Sequence, residues 1–333
     1  MLKQLGCLIL HNDRHATLKC QKKERAMSLP ALDASTVIEP IRQLYAAGGK
    51  GVLCVTTHVD GPSYRPLGAM MAVLADGRRI GTLSSGCVEA DIAFHAAKAL
   101  ENGAPYRVRY GKGSPFADIV LPCGGGLEIL LLPQPDVSVL DALLSHHAAR
   151  QTCVLEVDQR SGTLCAVTEG ETEWTGDIFS VKIKPEICFF IFGKGPETAT
   201  FAGLAQAAGY ANLVLSPDTE TLEAVARAGC ATQHLTHAHC PKDLPIDARS
   251  AVVLFFHDHE WEPPILAQAL TTEAFYIGAQ GSIRAAEMRL MELVRLRTNE
   301  TALARLHGPI GLVPSARDAR ILAVSVLAEV LSM

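Results

Sequence analysis

The stretch "EICFFIFGKGPETATFAGLAQAAGY", residues 186–210, decides the fold of the C-terminal half of the chain. Residues 187–192 are apolar without alternation, as in a strand buried on both faces. Gly193, Gly195 and Pro196 break that run, and the alanine-rich segment after them reads as a helix. Three similar units follow. "ANLVLSPD" (211–218), "SAVVLFFHDHE" (250–260) and "EAFYIGAQGS" (273–282) each read as a strand with a helical stretch behind it. Alternating buried strands and helices imply a Rossmann-like, doubly wound parallel sheet with right-handed crossovers over residues 186–333. "ARDARILAVSVLAEVL" (316–331) closes it as a last helix.

Upstream the pattern changes. "STVIEPIRQLYAA" (35–47) carries helical spacing, and "GVLCVTTHVD" (51–60) is a β-branched strand. "MMAVLA" and "RRIGTLS" form a hairpin around Asp76-Gly77. A helix follows "SSGCVEAD" (84–91), then two strands, "PYRVRYG" and "LEILLLP". This punctuation sets an N-terminal mixed α/β domain at 34–135 and a bridging segment at 136–185. Residues 1–33 lack periodicity and read as a disordered tail or upstream extension, with Met27 as a second candidate start. The fold class is therefore α/β, in two domains.

The 333 residues carry 30 Lys plus Arg against 35 Asp plus Glu, a formal charge of −5, which gives no footprint for nucleic acid or an anionic membrane. No apolar run approaches the ~18 residues of a membrane span. Ten scattered cysteines without a C-x-x-C pair read as reduced thiols of a cytoplasmic protein.

Four stretches carry candidate chemistry. In "LPCGGGLEILLLPQP" (121–135), Gly124, Gly125 and Gly126 leave bare backbone beside Cys123, and Glu128 opens the next strand. In "SSGCVEAD", Ser85, Gly86 and Cys87 sit at a helix start whose free N–H groups attract anions and lower a thiol pKa, partly offset by Glu89 and Asp91. The turn Gly193-Lys194-Gly195 suits a dinucleotide in context but not in detail. Pro196 lacks an N–H, Glu197 repels pyrophosphate, and Ser216 stands where a ribose-binding acid is expected, with Asp218 two residues beyond. "FFHDHE" (255–260) ends a sheet strand, so His257, Asp258 and His259 face the ligand crevice or cap the next helix. A fifth stretch, "CATQHLTHAHC" (230–240), holds zinc-ligand residue types but not the paired spacing of a structural site, and reads as a solvated His-rich loop.

Together, "GPSYRPLGAMMAV", "DGRRIGTLSSGCVEADI" and "CGGGLEILLLP" resemble the N-terminal domain of the XdhC/CoxI family, and "FFHDH", "AFYIGAQGS" and "LARLHGPIGLVPSARDARILAVSVLAEVL" resemble its Rossmann-like C-terminal domain. The resemblance covers most of residues 40–331. It implies an accessory chaperone that binds the molybdenum cofactor, assists its sulfuration and delivers it to a xanthine dehydrogenase-type apo-enzyme, with a cysteine desulfurase as a second partner. Cys123 stands where the family's cofactor-binding cysteine is expected and would meet molybdenum through the cofactor. Gly124, Gly125, Gly126, Ser85, Gly86, Cys87, Glu89, Gly193, Gly195, His257 and Asp258 complete the expected cofactor-binding set, and no catalytic residue is implied. A carrier must hand over its cargo, so the expectation is a homodimer with a cleft between its domains faced by Cys87, Cys123 and His257. The glycine turn departs from the family's G-A-G-H-V pattern, Ser216-Pro217-Asp218 departs from its Asp-x-Arg ending, and "GAQGS" replaces its G-x-I-G-S turn, all of which argue against NAD(P). The competing reading is an NAD(P)-dependent oxidoreductase built on the C-terminal domain.

Overall fold

In the computed structural model, the structure describes residues 37–84, 86–114, 121, 124–257 and 260–333. The chain divides between Pro185 and Glu186 into two compact units.

The N-terminal unit begins with α1 (Ile38–Ala46) and runs through β1 (Gly51–Asp60), β2 (Met70–Leu74), β3 (Arg79–Gly81), α2 (Cys87–Asn102), β4 (Tyr106–Gly111) and β5 (Gly126–Pro133). These strands form an antiparallel sheet in the order β3-β2-β1-β5-β4. Alternation along β1 explains why the strand is buried throughout its first seven residues. Leu53 and Val55 face a core with Ile41 and Leu44 of α1, whereas Val52 and Cys54 face Val88, Ile92 and Ala96 of α2. Gly103, at φ 63°, ends α2 in the left-handed conformation.

Residues 136–185, expected as a bridge, fold into this same unit. They supply α3 (Val137–Ala148), β6 (Cys153–Asp158), β7 (Leu164–Val167), β8 (Glu173–Thr175) and β9 (Ile178–Ile183). The strands pair antiparallel in the order β7-β6-β9-β8. Leu140, Leu143, Leu155, Val157, Phe179 and Val181 share one core with α1 and one face of the first sheet. The segment lacks long apolar runs because its strands are only three to six residues long and interleave polar residues such as Glu156, Ser180 and Lys182 with the apolar ones.

The C-terminal unit contains β10 (Cys188–Gly193), α4 (Pro196–Ala207), β11 (Ala211–Ser216), α5 (Thr219–Arg227), β12 (Ala231–His234) and β13 (Ser250–Phe255). It continues with α6 (Glu262–Ala269), β14 (Tyr276–Ala279), α7 (Ile283–Arg295), α8 (Glu300–Leu303), β15 (Leu306–His307) and α9 (Ala319–Leu331). Its sheet is parallel, in the order β12-β11-β10-β13-β14-β15. This is the doubly wound, Rossmann-like arrangement expected from the strand–helix alternation. Phe190 and Phe192 pack on one face with Ile265, Leu266 and Leu293, and Phe189 and Ile191 on the other with Phe201, Val326 and Val330. The sequence pattern does not predict the edge strands β12 and β15; β12 replaces part of the loop expected at 230–240. Among the described residues, no helix is long and apolar enough to cross a membrane.

Candidate functional site

The glycine loop of the N-terminal unit lies where β1, β4 and β5 converge. Asp60, Gly111 and Gly126 are register partners there. The fold itself demands glycine at 125 and leaves little room for a side chain at 126. A Cβ on Gly125 would strike the Asp60 carbonyl oxygen and lie 3.0 Å from that of Pro62. One on Gly126 would lie 3.0 Å from both the Lys112 carbonyl oxygen and Asp60 Oδ2. Gly124 differs: at φ 69° it turns the chain, its N–H donates to the Leu121 carbonyl at 2.9 Å, and a Cβ there would meet none of the described residues within 4 Å. Cys123 lies outside the described residues.

A charged lattice that joins residues far apart in sequence fixes this loop. Arg109 donates to Asp60 Oδ2, its Nε donates to the Lys112 carbonyl at 2.9 Å, and its guanidinium lies 3.8 Å from Glu128. Arg107 pairs with Glu128 at 3.3 Å and sits over the Trp174 ring. His58 Nε2 lies 3.0 Å from Asp60 Oδ1. Hydrogen bonds from His58 and Arg109 hold the Asp60 carboxyl below the usual carboxylate range. A cavity of about 340 Å³ opens against His58, Arg107, Arg109, Glu128 and Trp174. The signal was present in "YRVRYG" and "LEILLLP": alternation puts both arginines on one face of β4, and β5 pairs Glu128 opposite Arg109.

At the start of α2, Glu89 is committed to its own loop. Its Oε1 accepts from the N–H groups of Leu83 (3.0 Å) and Ser84 (2.6 Å) and from the Thr82 hydroxyl (2.6 Å), and its Oε2 accepts from the Gly86 N–H (2.6 Å). Burial alone would raise its pKa, but the bonds from Thr82, Ser84 and Gly86 outweigh that and keep it below the ordinary glutamate value. Glu89 is thus the anion this loop already holds, and the N–H groups of Leu83, Ser84 and Gly86 are engaged. Gly86, at φ 102°, caps the helix. Ser85 lies outside the described residues, as does the side chain of Cys87.

In the C-terminal unit the glycine turn between β10 and α4 is closed from within. A Cβ on Gly193 would collide with the Thr198 hydroxyl and lie 2.8 Å from the Phe255 carbonyl oxygen. The Gly195 N–H donates to Thr221 Oγ1 at 2.8 Å. Thr221 in turn donates to Asp218, which also accepts the Thr221 N–H at 2.9 Å and caps α5. Asp218 is held below the usual carboxylate range chiefly by the Thr221 hydroxyl. Both groups a dinucleotide would use, a phosphate-facing N–H and an acid after the second strand, are engaged with each other through Thr221.

His257, at the end of β13, lies 3.5 Å from Glu197 and 3.4 Å from Gln280 Nε2, in a crevice above β10, β13 and β14. Asp258 and His259 lie outside the described residues. Within 230–240, Cys230 and Cys240 are buried in the sheet's flanking cores. The imidazoles of His237 and His239 are near one another, at 6.1 Å between ring centroids. Among the described residues, no group of three or more His, Cys, Asp or Glu could hold a metal ion.

Both units match one family. Residues 44–111 match the XdhC and CoxI family, and residues 189–330 match the XdhC Rossmann domain. The chain is 37% identical over 287 residues to the molybdenum cofactor insertion chaperone PaoD of Escherichia coli, covering 86% of this chain and 84% of that protein. It is 24% identical over 319 residues to a probable xanthine dehydrogenase component of Bacillus subtilis, covering 85% of this chain and 92% of that protein. A crystal structure of a xanthine dehydrogenase from Bacillus halodurans has the same fold, with a TM-score of 0.73 over 89% of this chain and 95% of that one at 22% identity. The chain belongs to the XdhC and CoxI family.

Proposed function

We propose that this chain is a carrier of the molybdenum cofactor, which it holds as cargo, assists in sulfurating and inserts into a xanthine dehydrogenase-type molybdenum hydroxylase. The observation that carries this reading is the 37% identity, over most of both chains, to a protein named as a molybdenum cofactor insertion chaperone. The glycine loop fits the cargo. Gly124 offers bare backbone with no described residue over it, directly after Cys123, on a rim held rigid by Asp60 and Arg109. Cys123 supplies a soft thiolate suited to a metal that already carries sulfur ligands. Cys87, at the head of α2, is the second thiol of the proposal. A cysteine desulfurase, a molybdenum hydroxylase apo-enzyme and a second copy of the chain are its proposed partners, in a reducing cytoplasm.

The oxidoreductase alternative has no comparable support, because the Gly195 N–H and Asp218 are engaged by Thr221. The test is to express the protein in cells that make the cofactor and to measure molybdenum and pterin after purification. The native chain is expected to retain both, and Cys123→Ala to lose them while keeping its melting temperature. Undiminished molybdenum with Cys123→Ala overturns the proposal.

A further inference from the structure

The crevice of the C-terminal unit has the composition of a separate binding site. It encloses about 850 Å³, within the size range of small-molecule pockets. It lies beyond the carboxyl ends of β10, β13 and β14, where open α/β sheets bind ligands. Its wall carries two arginines, Arg284 and Arg317, that make no ion pair among the described residues. Three arginines near them in sequence are committed to carboxylates: Arg289 to Glu262, Arg295 to Glu292 and Arg320 to Asp318. Gln280 supplies the second observation. It is only 5% exposed, and its Nε2 donates to the Phe256 carbonyl at 3.3 Å. Its Oε1 accepts no hydrogen bond among the described residues, although the side chain lines the crevice. The Gln280 backbone is held by Arg289, which donates to its carbonyl at 2.6 Å.

We propose that this crevice binds a small phosphate monoester, with the phosphate on Arg284 and Arg317 and a hydroxyl or amino donor on Gln280 Oε1 and Glu197. The guanidinium fork matches phosphate geometry and charge. Glu197, on the glycine-turn side, repels phosphate and accepts donors, so the ligand lies with its anionic end away from α4. That polarity is opposite to the one a dinucleotide adopts in this fold. The inference does not depend on the carrier reading, since it concerns a different unit and none of the cysteines.

Ribose 5-phosphate is a suitable probe because it joins a phosphate monoester to several hydroxyl donors. Calorimetry on the full chain at low salt is expected to give one site with a Kd below about 1 mM. Neutral ribose is expected to give no heat, and added salt to weaken the phosphate ester. The double variant Arg284→Ala/Arg317→Ala is expected to lose at least about tenfold in affinity with its melting temperature unchanged, since neither side chain is buried. Absence of saturable heat from the native chain at about 10 mM ribose 5-phosphate, or a double variant binding within about twofold of native, overturns the proposal.

Discussion

The Thr221 hydroxyl accepts the Gly195 N–H at 2.8 Å and donates its own proton to Asp218, linking the two places where a Rossmann fold usually grips a dinucleotide. A ligand would have to displace Thr221 before it could use the Gly195 N–H, and Pro196 beside it offers none. Glu197 adds a like-charge penalty in the same turn. Titration of NAD⁺ or FAD by calorimetry is therefore expected to give a Kd weaker than about 100 µM. A Kd at or below about 10 µM shows that the turn reopens at low cost and refutes this account.

The glycine loop separates what the fold needs from what a ligand needs. Gly125→Ala drives a methyl group into the Asp60 carbonyl oxygen, so it should cost ~3 kcal/mol or prevent folding. Gly124→Ala meets none of the described residues within 4 Å and should cost chiefly the strain of its left-handed backbone, ~1–2 kcal/mol. Thermal melts of both variants check the order. Equal losses would mean that neighbouring backbone does not set the requirement at Gly125.

Glu89 makes stability depend on acid. Its folded-state pKa lies below the ordinary value of 4.5, so its contribution is fully present above that value and is lost as pH falls through the folded pKa. Removing the charge with Glu89→Gln should cost ~2–3 kcal/mol at neutral pH, the scale of hydrogen bonds to an ionised group. The difference between native and variant in urea unfolding should shrink as pH drops below 4.5. A gap that stays constant to lower pH would show that Glu89 does not titrate with folding.

The centre of each sheet could be read directly from the chain, and its margins could not. β10 and β13 are continuous apolar runs because they are buried on both faces. β12, with alternate residues facing outward, and the two-residue β15 leave no such trace, since an edge strand is specified by its neighbour's backbone. The site divides in the same way. Cys123 and the glycines stand out locally, but the pairing of Arg109 with Asp60 joins residues 49 apart and becomes visible only once β1, β5 and β4 are aligned. Glu89 is legible on its own, with a different meaning from a ligand contact. Its place three residues after Gly86 has the spacing of a capping carboxylate, which predicts an acceptor for loop N–H groups first.

Arg289 and Glu262 form an ion pair with both side chains about 2% exposed, and Arg289 also donates to the Gln280 carbonyl at 2.6 Å. The pair ties α7 to the start of α6 and to the turn after β14, and so sets the wall of the C-terminal crevice. Removing one member leaves an uncompensated buried charge. Arg289→Met alone should therefore cost ~3–5 kcal/mol. In Arg289→Met/Glu262→Met no charge is left behind and the methionines refill the space, so most of that loss should return. The comparison separates a pair that stabilises by attraction from one that chiefly avoids an orphaned charge. Urea unfolding of the native chain, both single variants and the double variant measures the coupling. A double variant as unstable as the sum of the two single losses would show that the side chains do not act together, and that the turn carrying Gln280 is held by something other than this pair.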